Sequence, residues 1–342
     1  MGFEKNFQAR IPSKQRNKVR FYFTLMAENT QKLVINPWFV TGFADAESCF
    51  TVSIVSNNKM KAGWHVRQSF EIELHQKDKT LLEQIKTYLG VGKIFHKPER
   101  GMIQFTVNTQ KDLLEIINHF ENYPLITKKL ADYILFKQAF ELIQRKEHLT
   151  PEGLRKLVSI KASLNWGLSS ALQEAFPKVT SVERFSVKDK IIQDPHWLAG
   201  FTSGEGSFMV KVIPSKTITT GFQVLLVFQI TQHNRDEELL RSLVKYLNCG
   251  KVYIPSNSAV MLQVAKLSDI DQILIPFFYK YPILTPLWLP NLRLGSRRGV
   301  GEKSNNFKDF CRVAKLMKCG AHLTFSPDPP NSSLTPPSDS PI

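Results

Sequence analysis

The chain contains two short stretches that are nearly the same, "NPWFVTGFADAES" at residues 36–48 and "DPHWLAGFTSGEG" at residues 194–206. Each begins with Asn or Asp, which cap helices well, followed by a proline suited to the first helical position. Each then continues with small and apolar residues and finishes in a glutamate, Glu47 or Glu205. We therefore predict two short apolar helices, each of which ends in a carboxylate.

The two stretches belong to a longer repeat, in which Glu205 lies 158 residues after Glu47. Three further pairs of segments align along the chain: 69–95 with 227–253, 119–127 with 277–285, and 136–150 with 310–324. The last pair is spaced by 174 residues, so the second copy carries about 16 additional residues. A repeat of more than a hundred residues indicates two related halves and not the short period of a solenoid.

The repeat also predicts the domain boundaries: a first half at 35–150, a mostly helical linker at 151–193, and a second half at 194–324. The second half contains an irregular insertion at about 286–301. The leader, residues 1–34, is rich in basic residues and is compatible with a basic arm, an organelle-targeting segment or a disordered extension. The tail, residues 325–342, contains six prolines and is expected to be disordered.

Composition narrows the class of partner. The 342 residues include 45 Lys and Arg against 30 Asp and Glu, a net charge of +15. A surplus of this size favours a polyanion, nucleic acid before membrane, although general solubility is an alternative explanation. No apolar run approaches the roughly 18 residues of a membrane span, so no membrane partner is expected. The four cysteines are scattered and match neither a zinc site nor a disulfide framework, as is usual in a reducing compartment.

Within each half, the pattern of apolar residues predicts strands as well as helices. Phe50, Val52 and Ile54 alternate with polar residues, as expected for a strand with one buried face. An amphipathic helix follows from about Lys79 to Leu89, then a second pair of strands and helices around 111–120 and 128–146. We therefore predict an α+β fold with two pseudo-symmetric halves, each an antiparallel sheet backed by helices on one face.

The other face of each sheet is expected to be open and to carry polar side chains. In the first half these are Thr51, Ser53, Arg67, Glu71, Glu73, Gln104, Thr106 and Asn108, and in the second Lys211, Gln223, Gln229, Thr231 and Gln263. Such rows are typical of an ordinary solvated face. In a chain with net charge +15, they are equally suited to contacting the edges of nucleic acid bases.

Small residues in the two repeated helices predict how these helices are used. They are spaced four apart in both copies: Gly42 and Ala46, and Gly200 and Gly204. Two independently buried helices would also accept them, but this spacing allows the helices to pack closely, which would bring Glu47 and Glu205 together. Two adjacent carboxylates at negative helix ends favour a bound cation, and oxygen ligands suit Mg²⁺. A carboxylate-held metal beside a basic, polar sheet indicates hydrolysis of a phosphodiester.

The two stretches "VTGFADAES" (40–48) and "LAGFTSGEG" (198–206) resemble the signature helices of LAGLIDADG homing endonucleases. Flanking segments such as "YPLITKKLADYILFKQAF" are similar to the single-chain enzymes encoded in fungal mitochondrial introns, and the similarity covers roughly 35–285 and 303–324. The resemblance implies a mitochondrial monomer with two αββαββα halves, whose saddle-shaped sheets bind a long, asymmetric site in double-stranded DNA. It also implies cleavage of both strands, leaving short 3′ overhangs.

The resemblance further implies roles for individual residues. Glu47 and Glu205 occupy the metal-binding acid of each motif, and Lys129 matches a basic residue near the scissile phosphate. Its partner at the 174-residue spacing is Lys303. Gln232 stands where such enzymes often keep a polar residue that orders the attacking water, whereas Leu74 occupies this position in the first half.

The sequence departs from the family pattern at two places. Ser48 replaces the glycine that closes the first motif and is expected to strain a left-handed helix end by about 1 kcal/mol. The insertion at 286–301 is either a basic loop that reaches DNA or foreign sequence, and the second half lacks a closing helix. These departures leave two alternatives to the nuclease: a non-cleaving protein that binds intron RNA as a splicing helper, and an inactive relic. A helical scaffold for protein partners has little support.

Overall fold

The first half is built from helices and one sheet. A computed structural model describes residues 35–60, 62–187, 191–217, 221–284, 310, 311 and 314. In chain order the elements are α1 (Pro37–Glu47), β1 (Ser48–Ser56), β2 (Trp64–His75), α2 (Lys79–Leu89), β3 (Lys93–Lys97), β4 (Met102–Val107), α3 (Gln110–Asn122), α4 (Lys129–Gln144), α5 (Pro151–Ser163) and α6 (Ser170–Ala175).

The described part of the second half repeats this order from α1 to α3. Its elements are α7 (Pro195–Glu205), β5 (Gly206–Pro214), β6 (Phe222–His233), α8 (Glu237–Leu247), β7 (Lys251–Ser256), β8 (Ala259–Val264), α9 (Leu267–Asp269) and α10 (Ile275–Lys280). A π-helical turn at Ile270–Leu274 joins α9 to α10. The α+β fold and the two related halves are therefore confirmed.

Each half contains one four-stranded sheet, and the two sheets have matching topology. The strand orders are β1-β2-β4-β3 and β5-β6-β8-β7, with all neighbours antiparallel. The alternation predicted from the sequence is visible in the burial of β1, where Phe50, Val52 and Ile54 are buried and the residues between them are at least partly exposed. The buried face of each sheet packs against helices, which leaves the opposite face for a partner.

The two repeated helices begin as their sequence predicts. The side chain of Asn36 accepts a 2.9 Å hydrogen bond from the backbone N–H of Trp38, and Asp194 accepts one of 2.7 Å from His196. These caps satisfy N–H groups that the first helical turn leaves without a partner. The starting point of each helix, and with it the position of its terminal glutamate, is therefore fixed locally.

Much of the segment predicted as a linker packs with the first half. Leu154, Leu157 and Val158 of α5 are buried in the same core as α1 to α4. Leu172 of α6 is buried in that core as well. By its packing, the helical part of residues 151–193 therefore extends the first half.

Several predicted features lie outside the described residues. These are the leader 1–34, the insertion at 286–301, Lys303 and the tail 325–342. In the part of the chain that the structure describes, none of the helices has both the length and the apolar character needed to cross a membrane.

Candidate active site

The repeated helices α1 and α7 pack against each other through their backbones. A Cβ atom added to Gly42 would lie 1.9 Å from the carbonyl oxygen of Trp197, and one added to Gly200 would lie 2.1 Å from that of Phe39. Both distances are far below van der Waals contact. Glycine at these two positions therefore allows the helices to approach more closely than any side chain would permit.

This packing brings the two terminal glutamates to one place. A Cβ atom added to Gly204 would lie 2.9 Å from Cγ and 3.3 Å from Oε1 of Glu47. The carboxylate of Glu47 thus lies against the residue that precedes Glu205 in the other helix. Both glutamates are partly exposed, so a ligand can reach them from the solvent.

Lys129 lies at the same point, at the start of α4. Its Nζ donates hydrogen bonds to the carbonyl oxygens of Ala44 at 3.0 Å and Ala46 at 3.2 Å, in the last turn of α1. Burial lowers the pKa of Lys129, while the charges of Asp45, Glu47 and Glu205 oppose that effect. An ammonium group therefore shares the negative helix end with both carboxylates.

Asp45 organises this region, and sequence reasoning missed it. Its Oδ2 accepts hydrogen bonds from the backbone N–H of Ile126 at 3.0 Å and from Nε1 of Trp197 at 2.8 Å. Its Oδ1 accepts one of 2.6 Å from the hydroxyl of Thr127, which itself accepts one of 3.1 Å from the N–H of Lys129. Burial raises the pKa of Asp45, against the effect of these donors. The carboxylate fixes the residues that lead into Lys129.

A second carboxylate joins the halves near the same segment. Oδ1 of Asp236, which is buried just before α8, accepts a 3.3 Å hydrogen bond from the backbone N–H of Lys128. The sequence contained one signal for the contacts of Asp45. The equivalent position in the second copy of the repeat is a serine, Ser203, and not an acid. Such a difference between copies marks a position where the halves have different partners.

The strain expected at Ser48 is absent, and that prediction was wrong. Ser48 has φ −84° and Gly206 has φ −73°, so both residues are extended and neither is left-handed. Gly206 is instead favoured by space, because a Cβ atom there would lie 2.5 Å from the side chain of Thr202. In the first half Ala44 takes the place of Thr202, and the hydroxyl of Ser48 donates a 2.7 Å hydrogen bond to its carbonyl oxygen.

Gln232 lies near the end of β6, two residues after Ile230, which pairs with the residue that follows Glu205. Gly206 is the first residue after α7, so Gln232 lies on the part of β6 that extends past the end of that helix. Its side chain is partly exposed, whereas Leu74 at the matching position is buried. The two copies therefore differ in polarity beside their glutamates.

The open face of the first sheet carries the predicted polar residues together. The pairing places Ser53 beside Arg67, Glu71 between Cys49 and Thr106, and Glu73 beside Gln104. Thr51 lies on the same face, and Asn108 is exposed directly after β4.

Two glutamates on this face are held in place. Glu71 accepts hydrogen bonds from the hydroxyl of Ser69 at 2.7 Å and from Nε2 of Gln104 at 2.6 Å. Glu73 forms an ion pair with Lys97. These side chains are therefore oriented before any partner arrives.

The open face of the second sheet is more apolar than the sequence suggested. Gln229 lies between Ser207 and Gln263, and Thr231, Lys211 and Gln223 continue the same face. The pairing also places the partly exposed apolar residues Met209, Leu225 and Met261 there, together with Val227, which is buried. The two faces thus offer different chemistry to a partner.

The residues present fit a hard divalent cation. The site supplies two carboxylates, and the described residues hold no cluster of three or more His, Cys, Asp or Glu that would form a complete cage. Mg²⁺ usually keeps several waters and binds through one or two carboxylates plus phosphate oxygens of a substrate. Glu47 and Glu205 are suited to that role.

Residues 40–140 and 198–287 match the family model described as LAGLIDADG endonuclease. The chain is 38% identical over 319 residues to "Probable intron-encoded endonuclease 3" of Neurospora crassa, covering 92% of this chain and 56% of that protein. It therefore spans little more than half the length of this relative. A second relative, "Uncharacterized 50.9 kDa protein in ND4 intron 1" of Podospora anserina, is 45% identical over 139 residues, covering 39% of this chain and 31% of that protein.

The fold of the chain also matches that of a solved protein structure. It is described as I-SmaMI bound to uncleaved DNA target in the presence of calcium ions. The two chains are 42% identical with a TM-score of 0.77, covering 84% of this chain and 94% of the other.

Proposed function

The chain belongs to the LAGLIDADG endonuclease family, and on that premise we propose that it is a site-specific endonuclease that cleaves both strands of double-stranded DNA. The observation that carries the proposal is the convergence of Glu47 and Glu205 at one end of two touching helices, with Lys129 beside them. Hydrolysis of a phosphodiester needs negative oxygens to bind a cation and a positive group to balance the phosphate, and this cluster supplies both.

The proposed roles follow from the chemistry of each side chain. Glu47 and Glu205 would hold the divalent metal, for which Mg²⁺ is the proposed ion. A metal bound there supplies activation of water and stabilisation of the departing oxygen. Lys129 balances negative charge that develops on the scissile phosphate, and Gln232 orders the attacking water in the second half. Lys303 is the proposed counterpart of Lys129.

The open faces of the two sheets are the proposed DNA-binding surface. The twelve predicted contact residues are Thr51, Ser53, Arg67, Glu71, Gln104, Thr106, Asn108, Lys211, Gln223, Gln229, Thr231 and Gln263. Because the side chains of the two halves differ, a single chain is expected to recognise an asymmetric target as a monomer. Arg67 and Lys211 have the charge to contact phosphates or guanine.

A mitochondrial location is part of the proposal. It is supported by the similarity to an intron-encoded relative and to a protein of an ND4 intron. Binding of intron RNA is the alternative activity of the same fold. Retention of both glutamates favours the nuclease, because RNA binding alone requires neither.

The test is cleavage of a plasmid library with a randomised target by the purified chain, in Mg²⁺ and in Ca²⁺. Linear products that share one site, formed in Mg²⁺, are expected. Glu47→Gln and Glu205→Gln should bind the selected site and fail to cut it. Glu152→Gln, at an exposed position of α5 with 80% of its side chain accessible, is the matched control and should cut normally. Cleavage by either active-site variant at the rate of the control would refute the assignment.

A further inference from the structure

Trp166 is fully exposed to solvent, with a relative exposure of 101%. The other described tryptophans, Trp38, Trp64 and Trp197, are buried or partly buried. An indole buries a large apolar area when it packs, so leaving one in water forgoes stabilisation that the fold could have used. Such a position is explained when the side chain packs against a partner.

The turn that carries Trp166, between α5 and α6, is well defined. Leu164 is fully buried, and its carbonyl oxygen accepts a 3.0 Å hydrogen bond from the backbone N–H of Gly167. Asn165 and Gly167 both adopt left-handed geometry, with φ of 51° and 76°. Such specific backbone angles fix the position of the Trp166 backbone, which reduces the backbone entropy lost on binding.

The same turn is bonded to the edge strand of the first sheet. Nδ2 of Asn165 donates a 2.8 Å hydrogen bond to the carbonyl oxygen of Phe50, in the edge strand β1. Phe50 follows Glu47 by three residues, about 10 Å at the rise of a strand. That length equals about three base pairs of DNA. The turn that carries Trp166 is therefore attached to the edge strand about 10 Å of chain from Glu47.

A lysine one turn earlier adds positive charge to this edge. Lys161 lies near the end of α5, the helix that leads into this turn and packs against β1. A lysine close in the chain to an exposed aromatic ring is a combination that proteins use to bind a nucleic acid backbone. The net charge of +15 favours a polyanion over a protein as the partner of this ring and cation.

We propose that Trp166 contacts the sugar-phosphate backbone of the target DNA within a few base pairs of the bond cleaved beside Glu47, with Lys161 alongside it. The edge position directs this contact to the backbone and leaves the base edges to the open face of the sheet. The indole would cover a deoxyribose while its N–H donates to a phosphate oxygen. The proposal rests on the proposed DNA endonuclease function.

The first experiment compares the fluorescence of the full chain with that of Trp166→Phe, in Ca²⁺ and with the selected target. The difference between the two proteins isolates the emission of Trp166 from that of the other tryptophans. We expect acrylamide to quench this emission strongly in the free protein and at least twofold less in the complex. Equal quenching in both states, with DNA demonstrably bound, would overturn the proposal.

The second experiment measures affinity. Trp166→Ala is expected to weaken binding about 5- to 100-fold, in the range that removal of an aromatic contact to a nucleic acid usually costs, and Trp166→Phe should weaken it less. Tyr279→Ala is the matched control, because Tyr279 is 41% exposed on α10, in the helix layer behind the second sheet. Affinities of Trp166→Ala and the control that equal the parent's would also overturn the proposal.

The two proposals fail in different ways. If the parent selects and binds no DNA site, the endonuclease proposal fails. If the parent binds its site while Trp166 stays fully accessible, only the backbone contact fails. Circular dichroism of Trp166→Ala checks folding, and the fluorescence comparison with Trp166→Phe decides the question if that variant is unfolded.

Discussion

The indole Nε1 of Trp197 donates a 2.8 Å hydrogen bond to Oδ2 of Asp45, and the two residues come from different halves of the chain. The bond is buried, since Asp45 is 5% exposed and Trp197 is 1% exposed. Because Asp45 also binds the residues before Lys129, the same carboxylate joins the two halves and orients a member of the candidate active site.

Replacement of Asp45 by Asn should therefore destabilise the whole chain. The amide would direct an NH₂ group at donors that now face a carboxylate oxygen, so we expect the free energy of unfolding to fall by about 2–4 kcal/mol. Urea denaturation monitored by circular dichroism measures this. Ser203→Ala, at the matching position of the second half, should cost about 1 kcal/mol. An equal loss in the two variants would contradict the bridging role.

Lys129→Met should slow cleavage without preventing DNA binding. Loss of one positive group that stabilises the transition state typically lowers the rate about 100- to 1,000-fold. Single-turnover cleavage of the selected site measures the rate, and Lys128→Met at the neighbouring position is the control.

Because burial lowers the pKa of Lys129 from 10.5, its charge is lost at a lower pH than that of an ordinary lysine. The parent's rate should accordingly fall on the alkaline side, below pH 10.5, and a rate that stays constant there would count against Lys129.

His119 should make the fold sensitive to acid. The hydroxyl of Thr41 donates to the carbonyl oxygen of Tyr123 at 2.9 Å, so it accepts from Nε2 of His119, 3.1 Å away. Nδ1 then accepts from the hydroxyl of Tyr88 at 3.1 Å. The imidazole is thus neutral, and burial lowers its pKa from 6.5 to about 4.

The sign of the pH dependence follows from that lowered pKa. The stability contributed by neutral His119 is present above pH 6.5 and is lost as the pH falls toward 4, by up to about 3 kcal/mol. His119→Phe copies the residue of the second half, Phe277, and should show a flatter dependence between these values. Urea denaturation at pH 7 and pH 4.5 measures it, with the exposed His96→Gln as control. A slope that is the same in parent and His119→Phe would show that other groups are responsible.

Glu71 should select a base that carries an amino group in the major groove. Its carboxylate is oriented by Ser69 and Gln104 and can accept from N4 of cytosine or N6 of adenine. Glu71→Gln should relax the preference at one target position, and Glu71→Lys should shift it toward guanine. Sequencing of targets selected by each variant measures the preference. Gln229→Ala should change a position in the other half of the site, and unchanged preferences in the Glu71 variants would exclude this role.

Gly200→Ala should prevent normal packing of α1 and α7. The added methyl group would meet the carbonyl oxygen of Phe39 at 2.1 Å, so the helices must separate, and we expect a loss of about 3 kcal/mol or more. The matched control is Gly63→Ala, where the added methyl group meets nothing and only φ of 73° opposes it, at a cost of about 1 kcal/mol. Thermal unfolding compares the two, and similar melting temperatures would contradict the close approach.

The parts of the fold that depend on local patterns were predictable from the sequence. The alternation around Phe50 and the caps at Asn36 and Asp194 act over a few residues, so they specify β1, α1 and α7 without knowledge of the rest. The repeat then implied the pairing of the helices, because two copies of one apolar helix can bury the same stripe against each other.

What escaped prediction depends on contacts between distant residues. The role of Asp45 could not be predicted because its hydrogen-bond donor, the indole of Trp197, comes from the other half of the chain. The prediction of strain at Ser48 was wrong because the sequence shows that a glycine is missing but does not show that the backbone there is extended. It also does not show that Ala44 leaves space for the serine side chain. The apolar side chains Met209 and Leu225 on the second open face were overlooked because the strand alternation there is interrupted by apolar residues on both faces.

The bridge between Asp45 and Trp197 has a consequence for the ancestry of the duplicated chain. A homodimer of two first halves would bury Asp45 opposite Phe39, which offers no donor, and one of two second halves would place Trp197 opposite Ser203. Neither homodimer would form the buried bond that Asp45 and Trp197 make between the halves. A chimera that combines one half of this chain with a half of another relative keeps this bond only if the residues at both positions are retained.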